Sequence, residues 1–397
     1  MSWQDKQLQL QQQLNERKQQ SLYRSRRIID GAQDVVISLE GKSVLNFCSN
    51  DYLGLANHPE VIKAFKQGVD KYGVGSGSAH LVTGHSSVHH ELEQQLAEFV
   101  GRPRALLFST GYMANLGVAS ALLSKNDCIY EDKLNHASLI DAGQLSTASF
   151  KRYFHNDFNN LEKKLSESDN SAFSLIVSDG VFSMDGDVVA LDKMLPVAKH
   201  HDAAILIDDA HGLGVTGRTG RGTLEQFNAS SDDVPILMAT LGKAFGTFGA
   251  FIAGSDTVIE TLIQQARSYI YTTALPPAVA SATLASLKLI INEQWRREQL
   301  HDRIKQFKTG AKQLGLNLMP SDTAIQPLLV GTSELAVKIS ESLLAQGILI
   351  SAIRPPTVPN NTARLRITIC ANHTTTQIET LLSSLEALLP ELQHDVC

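Results

Sequence analysis

Lys243 is the residue around which chemistry can be organised. It stands in Thr240-Leu-Gly-Lys-Ala-Phe-Gly-Thr-Phe-Gly249, between apolar runs at 235–239 and 248–253 that read as buried strands. An unpaired ammonium is costly to desolvate. Such a lysine either keeps its head in water at a loop tip or is not a free ammonium, its amine forming an imine with a carbonyl group. Taken alone, the residue favours the loop tip. The stretch Ala203-Ala-Ile-Leu-Ile-Asp-Asp-Ala-His-Gly212 shifts the balance, because an apolar strand ends there in Asp208 and His211 follows in the turn. A carboxylate and a lysine therefore arrive at the ends of successive strand units.

Three other stretches carry polar groups at strand ends. Ser109-Thr-Gly-Tyr-Met-Ala-Asn115 follows a strand and opens a helix, where first-turn amides favour a phosphate, although a plain strand-to-helix turn is the commoner meaning. Asn135-His-Ala-Ser138 places His136 in a loop, and Ser178-Asp-Gly-Val-Phe-Ser-Met-Asp-Gly186 carries Asp179 and Ser183. Near the C-terminus, Arg354, Arg364 and Arg366 flank the last strands; Arg364 reads as a surface residue.

Several patterns are discounted. Gly212-Leu-Gly-Val-Thr-Gly217 matches a dinucleotide fingerprint, but Arg218-Thr-Gly-Arg-Gly222 stays glycine-rich and Asp208 and Asp209 would repel a pyrophosphate. Gly242-Lys243 is not a phosphate-binding P-loop, since Leu237 stands where its first glycine is needed. His85, His89, His90 and Glu91 lack H-E-x-x-H spacing and cysteine partners, so a solvated helix start is expected there and no metal.

The elements that must position these residues alternate. Short apolar strands at 105–108, 128–131, 174–178, 203–208, 235–239 and 248–253 are separated by helical segments, which predicts a mostly parallel sheet covered on both faces. Ligands of such sheets bind beyond the carboxyl ends of the strands, where Gly111, Asp179, Asp208 and Thr240 fall. Helical spacing covers 59–72 and 87–99; residues 4–27 read as an exposed helical arm, and 35–39 with 44–47 as a hairpin. After a helical stretch at 277–314, strands at 325–330, 348–353 and 364–370 with helices at 334–346 and 375–388 predict a smaller α+β domain. The expected division is 1–45 arm and hairpin, 46–290 large α/β domain, and 291–397 small domain.

With 397 residues, 43% apolar content and 19% charged residues, the composition is that of an ordinary soluble globular protein. A net charge of −6 leaves no basic footprint for nucleic acid. Cys48, Cys128, Cys370 and Cys397 lack C-x-x-C spacing, which suits a reducing cytoplasm rather than a disulfide framework or a zinc site. No signal peptide and no membrane span are expected.

From Asn50-Asp-Tyr-Leu-Gly-Leu55 through Lys243 to Ile353-Arg-Pro-Pro-Thr-Val-Pro359 and Ala363-Arg-Leu-Arg-Ile-Thr368, the chain resembles the α-oxoamine synthases, which are fold type I pyridoxal phosphate enzymes. The resemblance implies a homodimeric, cytoplasmic acyltransferase with pyridoxal 5'-phosphate bound to Lys243. Asp208 would pair with the ring nitrogen and His136 would stack on the ring. Gly111, Tyr112 and Thr240 would hold the phosphate, aided by Thr273 of the other subunit, and Ser183 and His211 would face the phenolic oxygen. Asp179 stands where the family usually has Glu. The resemblance further implies decarboxylative condensation of L-alanine with a pimeloyl thioester, on coenzyme A or acyl carrier protein, the 353–359 segment favouring this over glycine-using relatives. Arg366 would take the alanine carboxylate, while Asn50, Arg24, Arg354 and Thr357 complete the substrate-binding set. A non-catalytic relative is the alternative from another class.

Overall fold

The computed structural model describes residues 1–168 and 172–393; Cys397 lies outside them. The chain divides into two compact units. The larger holds residues 51–183 and 187–297. The smaller holds 1–50, 184–186 and the described residues from 298 on, so the N-terminal arm and hairpin cluster with the C-terminal part of the chain.

In the larger unit a seven-stranded sheet has the spatial order Arg104–Phe108, Ala250–Gly254, Ile236–Thr240, Ala204–Asp208, Ser174–Asp179, Cys128–Asp132, Ser149–Tyr153. Every pairing is parallel except those of Ala250–Gly254, which runs antiparallel to both neighbours. Ser174–Asp179 is buried at every position, so its centre, Leu175-Ile-Val177, is a continuous apolar run rather than an alternating one. The core contains Leu106, Val118, Leu175, Leu206, Ile252 and Leu262. Each large aliphatic side chain taken from water there contributes about 1.5–3 kcal/mol.

Ser149–Tyr153 was not anticipated. It is an edge strand, with Ser149 exposed and the next three residues half-buried, so it carries no apolar run. The helical stretch at 277–314 consists of two helices, Pro277–Asn292 and Trp295–Gln313, with Glu293 and Gln294 between them.

The smaller unit contains two sheets. Ile29–Asp30, Val36–Leu39 and Lys42–Asn46 form an antiparallel meander that Ile348–Leu349 joins in parallel. Ile325–Gly331, Ala363–Thr368 and Ser351–Ile353 form the second, antiparallel throughout. The run at 348–353 is thus divided: its first half pairs with the meander and its second with Ala363–Thr368. The N-terminal helix is Trp3–Gln19, exposed along its length, and ends short of the expected residue 27. Among the described residues no helix is long and apolar enough to cross a membrane.

Candidate active site

The carboxyl ends of the parallel strands in the larger unit surround a cavity of about 170 Å³. Its lining includes Gly111, Tyr112, His136, Asp179, Asp208, His211, Thr240 and Lys243, so eight residues singled out in the sequence come together. Ser138, Ala210 and Met238 complete it. Ser183 and Thr273 are not in the lining; Thr273 is exposed.

Asp208 ends its strand buried, with one carboxylate oxygen accepting from Ala210 N at 3.0 Å and the other from Asn115 Nδ2 at 2.8 Å. Asn115 Nδ2 also donates to Ser138 Oγ at 2.9 Å. Asn115 was missed as a functional residue. The available signal is a buried polar side chain in the otherwise apolar helix Gly111–Leu122, one turn beyond the candidate phosphate amides. Asp209 points elsewhere: it accepts from Thr223 N at 2.7 Å and Thr223 Oγ1 at 2.6 Å, and burial pushes it up to about 6.

Asp179 is the cross-strand partner of Asp208. Burial, reinforced by the neighbouring Asp208 charge, holds its carboxyl well above the usual range. Its Oδ2 accepts from the backbone N–H of His136 at 2.7 Å, so the shorter side chain finds a partner in the adjacent loop. Asn135 secures that loop from the other side, accepting from Asp179 N and donating to Val177 O. His136 then caps the helix Ala137–Leu145, its Nδ1 within 3.2 Å of Ser138 N, and burial lowers the pKa of its ring. Tyr52, itself buried, meets His211 Nδ1 at 2.6 Å. With the tyrosine donating, the neutral imidazole carries its proton on Nε2.

Lys243 is half-buried on a turn closed by Gly246 N donating to Lys243 O and Thr247 N donating to Leu241 O. Gly246 adopts φ +65°, and a Cβ there would lie 2.3 Å from Ala56 N. Only glycine lets the lysine turn approach the 51–56 loop, whose Leu55 and Ala56 amides are held by Asp51. Gly111 and Tyr112 form the first turn of their helix, capped by the Thr110 side chain accepting from Met113 N. Their amides have no intrahelical acceptor. A lysine amine, a buried carboxylate, an imidazole kept neutral and a helix N-terminus together form a donor set suited to a phosphorylated aromatic aldehyde.

The candidate substrate residues belong to the smaller unit. Arg366 is buried and donates to Asn50 Oδ1 at 3.2 Å and Thr368 Oγ1 at 3.0 Å. Arg364 is not on the surface as expected: it is buried, paired with Asp185 at 2.7 Å. Chain segments far apart in sequence supply the two partners, which is why the pairing left no local trace. Arg24 is exposed and reaches Thr357 Oγ1 at 3.2 Å, while half-buried Arg354 donates to Ser21 O.

The family model Aminotransferase class I and II matches residues 42–385. An 8-amino-7-oxononanoate synthase of Nitrosococcus oceani is 59% identical, over 95% of this chain and 100% of its own. A serine palmitoyltransferase from S. paucimobilis, solved with a bound PLP–myriocin aldimine, superposes with a TM-score of 0.93 at 30% identity, covering 99% of both chains. The 8-amino-7-oxononanoate synthase of Francisella tularensis gives a TM-score of 0.77 at 34% identity, over 87% of this chain and 98% of its own. By sequence and by fold, then, the chain belongs to the aminotransferase class I and II family and, within it, to the 8-amino-7-oxononanoate synthases.

Proposed function

We propose that this pyridoxal phosphate-dependent acyltransferase condenses L-alanine with a pimeloyl thioester, releasing carbon dioxide and the free thiol carrier, and that the residues around Lys243 do the chemistry. The observation that carries the reading is the convergence of Lys243, Asp208, His136 and the Gly111 helix N-terminus on one cavity. Pyridoxal phosphate supplies an electron sink for negative charge developing at the amino-acid Cα. Lys243 would hold the cofactor through its amine and would take the Cα proton as general base. Asp208, held by Asn115 and the Ala210 amide, keeps the ring nitrogen protonated. The Gly111 and Tyr112 amides and the Thr240 hydroxyl take the phosphate. His136, its backbone anchored by Asp179, would stack on the ring, and His211 and Ser183 would serve the phenolic oxygen. Arg366 holds the alanine carboxylate in a planar fork beside Asn50, and Arg24, Arg354 and Thr357 receive the acyl chain. Two copies of the chain assemble in the cytoplasm, Thr273 of each serving the other's phosphate site.

The test offers alanine, glycine and serine with pimeloyl thioesters of coenzyme A and of acyl carrier protein, and identifies products by mass spectrometry. Alanine with a pimeloyl thioester should give 8-amino-7-oxononanoate. Turnover of glycine alone would overturn the substrate assignment. Borohydride should fix the cofactor on Lys243 and on no other lysine.

A further inference from the structure

The larger unit brings together a second group of donor atoms, none of which lines the Lys243 cavity. We propose that His85, His90 and Glu93 bind a divalent transition metal such as Zn²⁺, leaving further coordination positions open to solvent. One ligand atom of each lies within 4.8 Å of the others, close enough for modest side-chain rotation to bring all three onto one ion. His90 and Glu93 stand three residues apart on the helix Ser87–Phe99 and so share a face, which His85 approaches from the preceding loop. His85 Nε2 already lies 3.9 Å from Glu93 Oε2.

The surroundings prepare two of the ligands. His85 Nδ1 meets His80 Nδ1 at 3.0 Å, and the His80 ring stacks on Tyr269. The tautomer with the His85 Nδ1 proton donated to His80 leaves the Nε2 lone pair directed at Glu93. Outer partners of this kind orient metal-bound imidazoles. Glu93 Oε1 accepts from Leu107 N at 2.9 Å, which fixes the carboxylate and leaves Oε2 for the ion. Two imidazoles and a carboxylate suit Zn²⁺, Co²⁺ or Ni²⁺ rather than Mg²⁺.

A neighbouring trio, His80, His85 and His89, is the weaker candidate. His89 is fully buried, and both its nitrogens are engaged, Nδ1 accepting from Ser86 N at 3.1 Å and Nε2 meeting Leu275 O at 2.6 Å. It is a core histidine that caps its own helix, not part of a solvated helix start.

Chelator-treated, cofactor-loaded protein should bind Zn²⁺ at one saturable site by isothermal titration, and Co²⁺ should add visible d–d bands. His90→Ala, at an exposed position, should weaken Zn²⁺ roughly tenfold or more and remove the bands; Glu93→Gln should do the same. His200→Ala, in the separate group Glu162, His200 and His201, should change neither. Absence of saturable binding, binding indifferent to His90→Ala, or binding lost in His200→Ala would each overturn the site.

Discussion

The two units hold their charged groups in different ways. In the larger unit Asp208 and Asp179 end their strands, buried, and His136 caps the helix that follows a third strand, each fixed by short hydrogen bonds from an adjoining loop or helix. In the smaller unit Arg366, by Asn50 and Thr368, and Arg364, by Asp185, are held comparably. Arg24 lies exposed beyond the end of the N-terminal helix with a single hydroxyl partner. The rigid set suits chemistry shared across pyridoxal phosphate enzymes, where an ångström of misplacement is costly. The loosely held arginine suits recognition of a long, variable substrate, where a bond can be traded for reach.

That contrast is sharpened most by removing the lysine. Lys243→Ala should leave a soluble protein that still retains cofactor through phosphate and ring contacts, yet turnover should fall by at least about 10²–10⁴-fold. Retained turnover would mean that a group other than Lys243 acts as the general base, and the comparison would fail. Asp208→Asn comes next. It keeps the shape, but Asn115 Nδ2 loses its charged acceptor, and exchange of the alanine Cα proton should fall roughly 10²–10³-fold. Near-normal exchange would mean that charge at this strand end is dispensable.

A third test concerns how the larger unit fixes its loops. His155 meets Asp132 at 3.0 Å and Asp187 at 2.7 Å. Asp132 also accepts from Leu134 N, in the loop that carries His136. Burial pulls the His155 imidazolium down, but hydrogen bonds and charge from both aspartates overcome this and raise it from 6.5 to about 10. A raised folded value stabilises the fold fully below about pH 6.5, and the contribution is lost as pH climbs through about 10. Its side chain is 27% exposed, so the contribution is set at about 2–4 kcal/mol rather than the full shift. Denaturant midpoints measured from pH 7 to 10.5 should fall in the parent and stay flatter in His155→Gln. Parallel curves would show that the cluster carries no net stabilisation.

Much of this arrangement was legible because parallel strands buried on both faces advertise themselves as apolar runs, and their ends mark the site. Six strands of the large sheet follow from that, and so do Gly111, Asp179, Asp208 and Thr240 at the cavity, while helical spacing marks the helices at 59–72 and 87–99. What escaped depends on tertiary partners. Ser149–Tyr153 is an edge strand with Lys151 and Arg152 half-buried, so no apolar pattern marks it. Arg364 looked like a surface cation because Asp185 comes from a distant segment. His89 looked solvated because nothing nearby reveals that Leu275 O would meet it. Asn115 was a visible clue passed over, since an amide buried in an apolar helix needs a partner.

The smallest expected effects separate the two arginine environments. Arg366 is buried with its guanidinium already oriented, so losing a charge-assisted bond to the alanine carboxylate should cost about 1.5–3 kcal/mol, roughly one to two decades in affinity. Arg366→Ala should therefore weaken alanine in a spectral titration of the cofactor band without thioester. Part of that loss will be structural, because Asn50 and Thr368 lose their donor; Arg366→Lys, which keeps charge but not the planar fork, should recover only part of it. Arg24 is exposed, and a solvated ionic contact contributes about 0–1 kcal/mol. Arg24→Ala should leave the alanine titration unchanged and raise the apparent constant for the pimeloyl thioester by no more than about fivefold. If Arg24→Ala weakens alanine and spares the thioester, the acyl end has been assigned to the wrong residues. If both variants weaken both substrates equally, the smaller unit holds its arginines as one network, and the distinction between fixed and yielding contacts disappears.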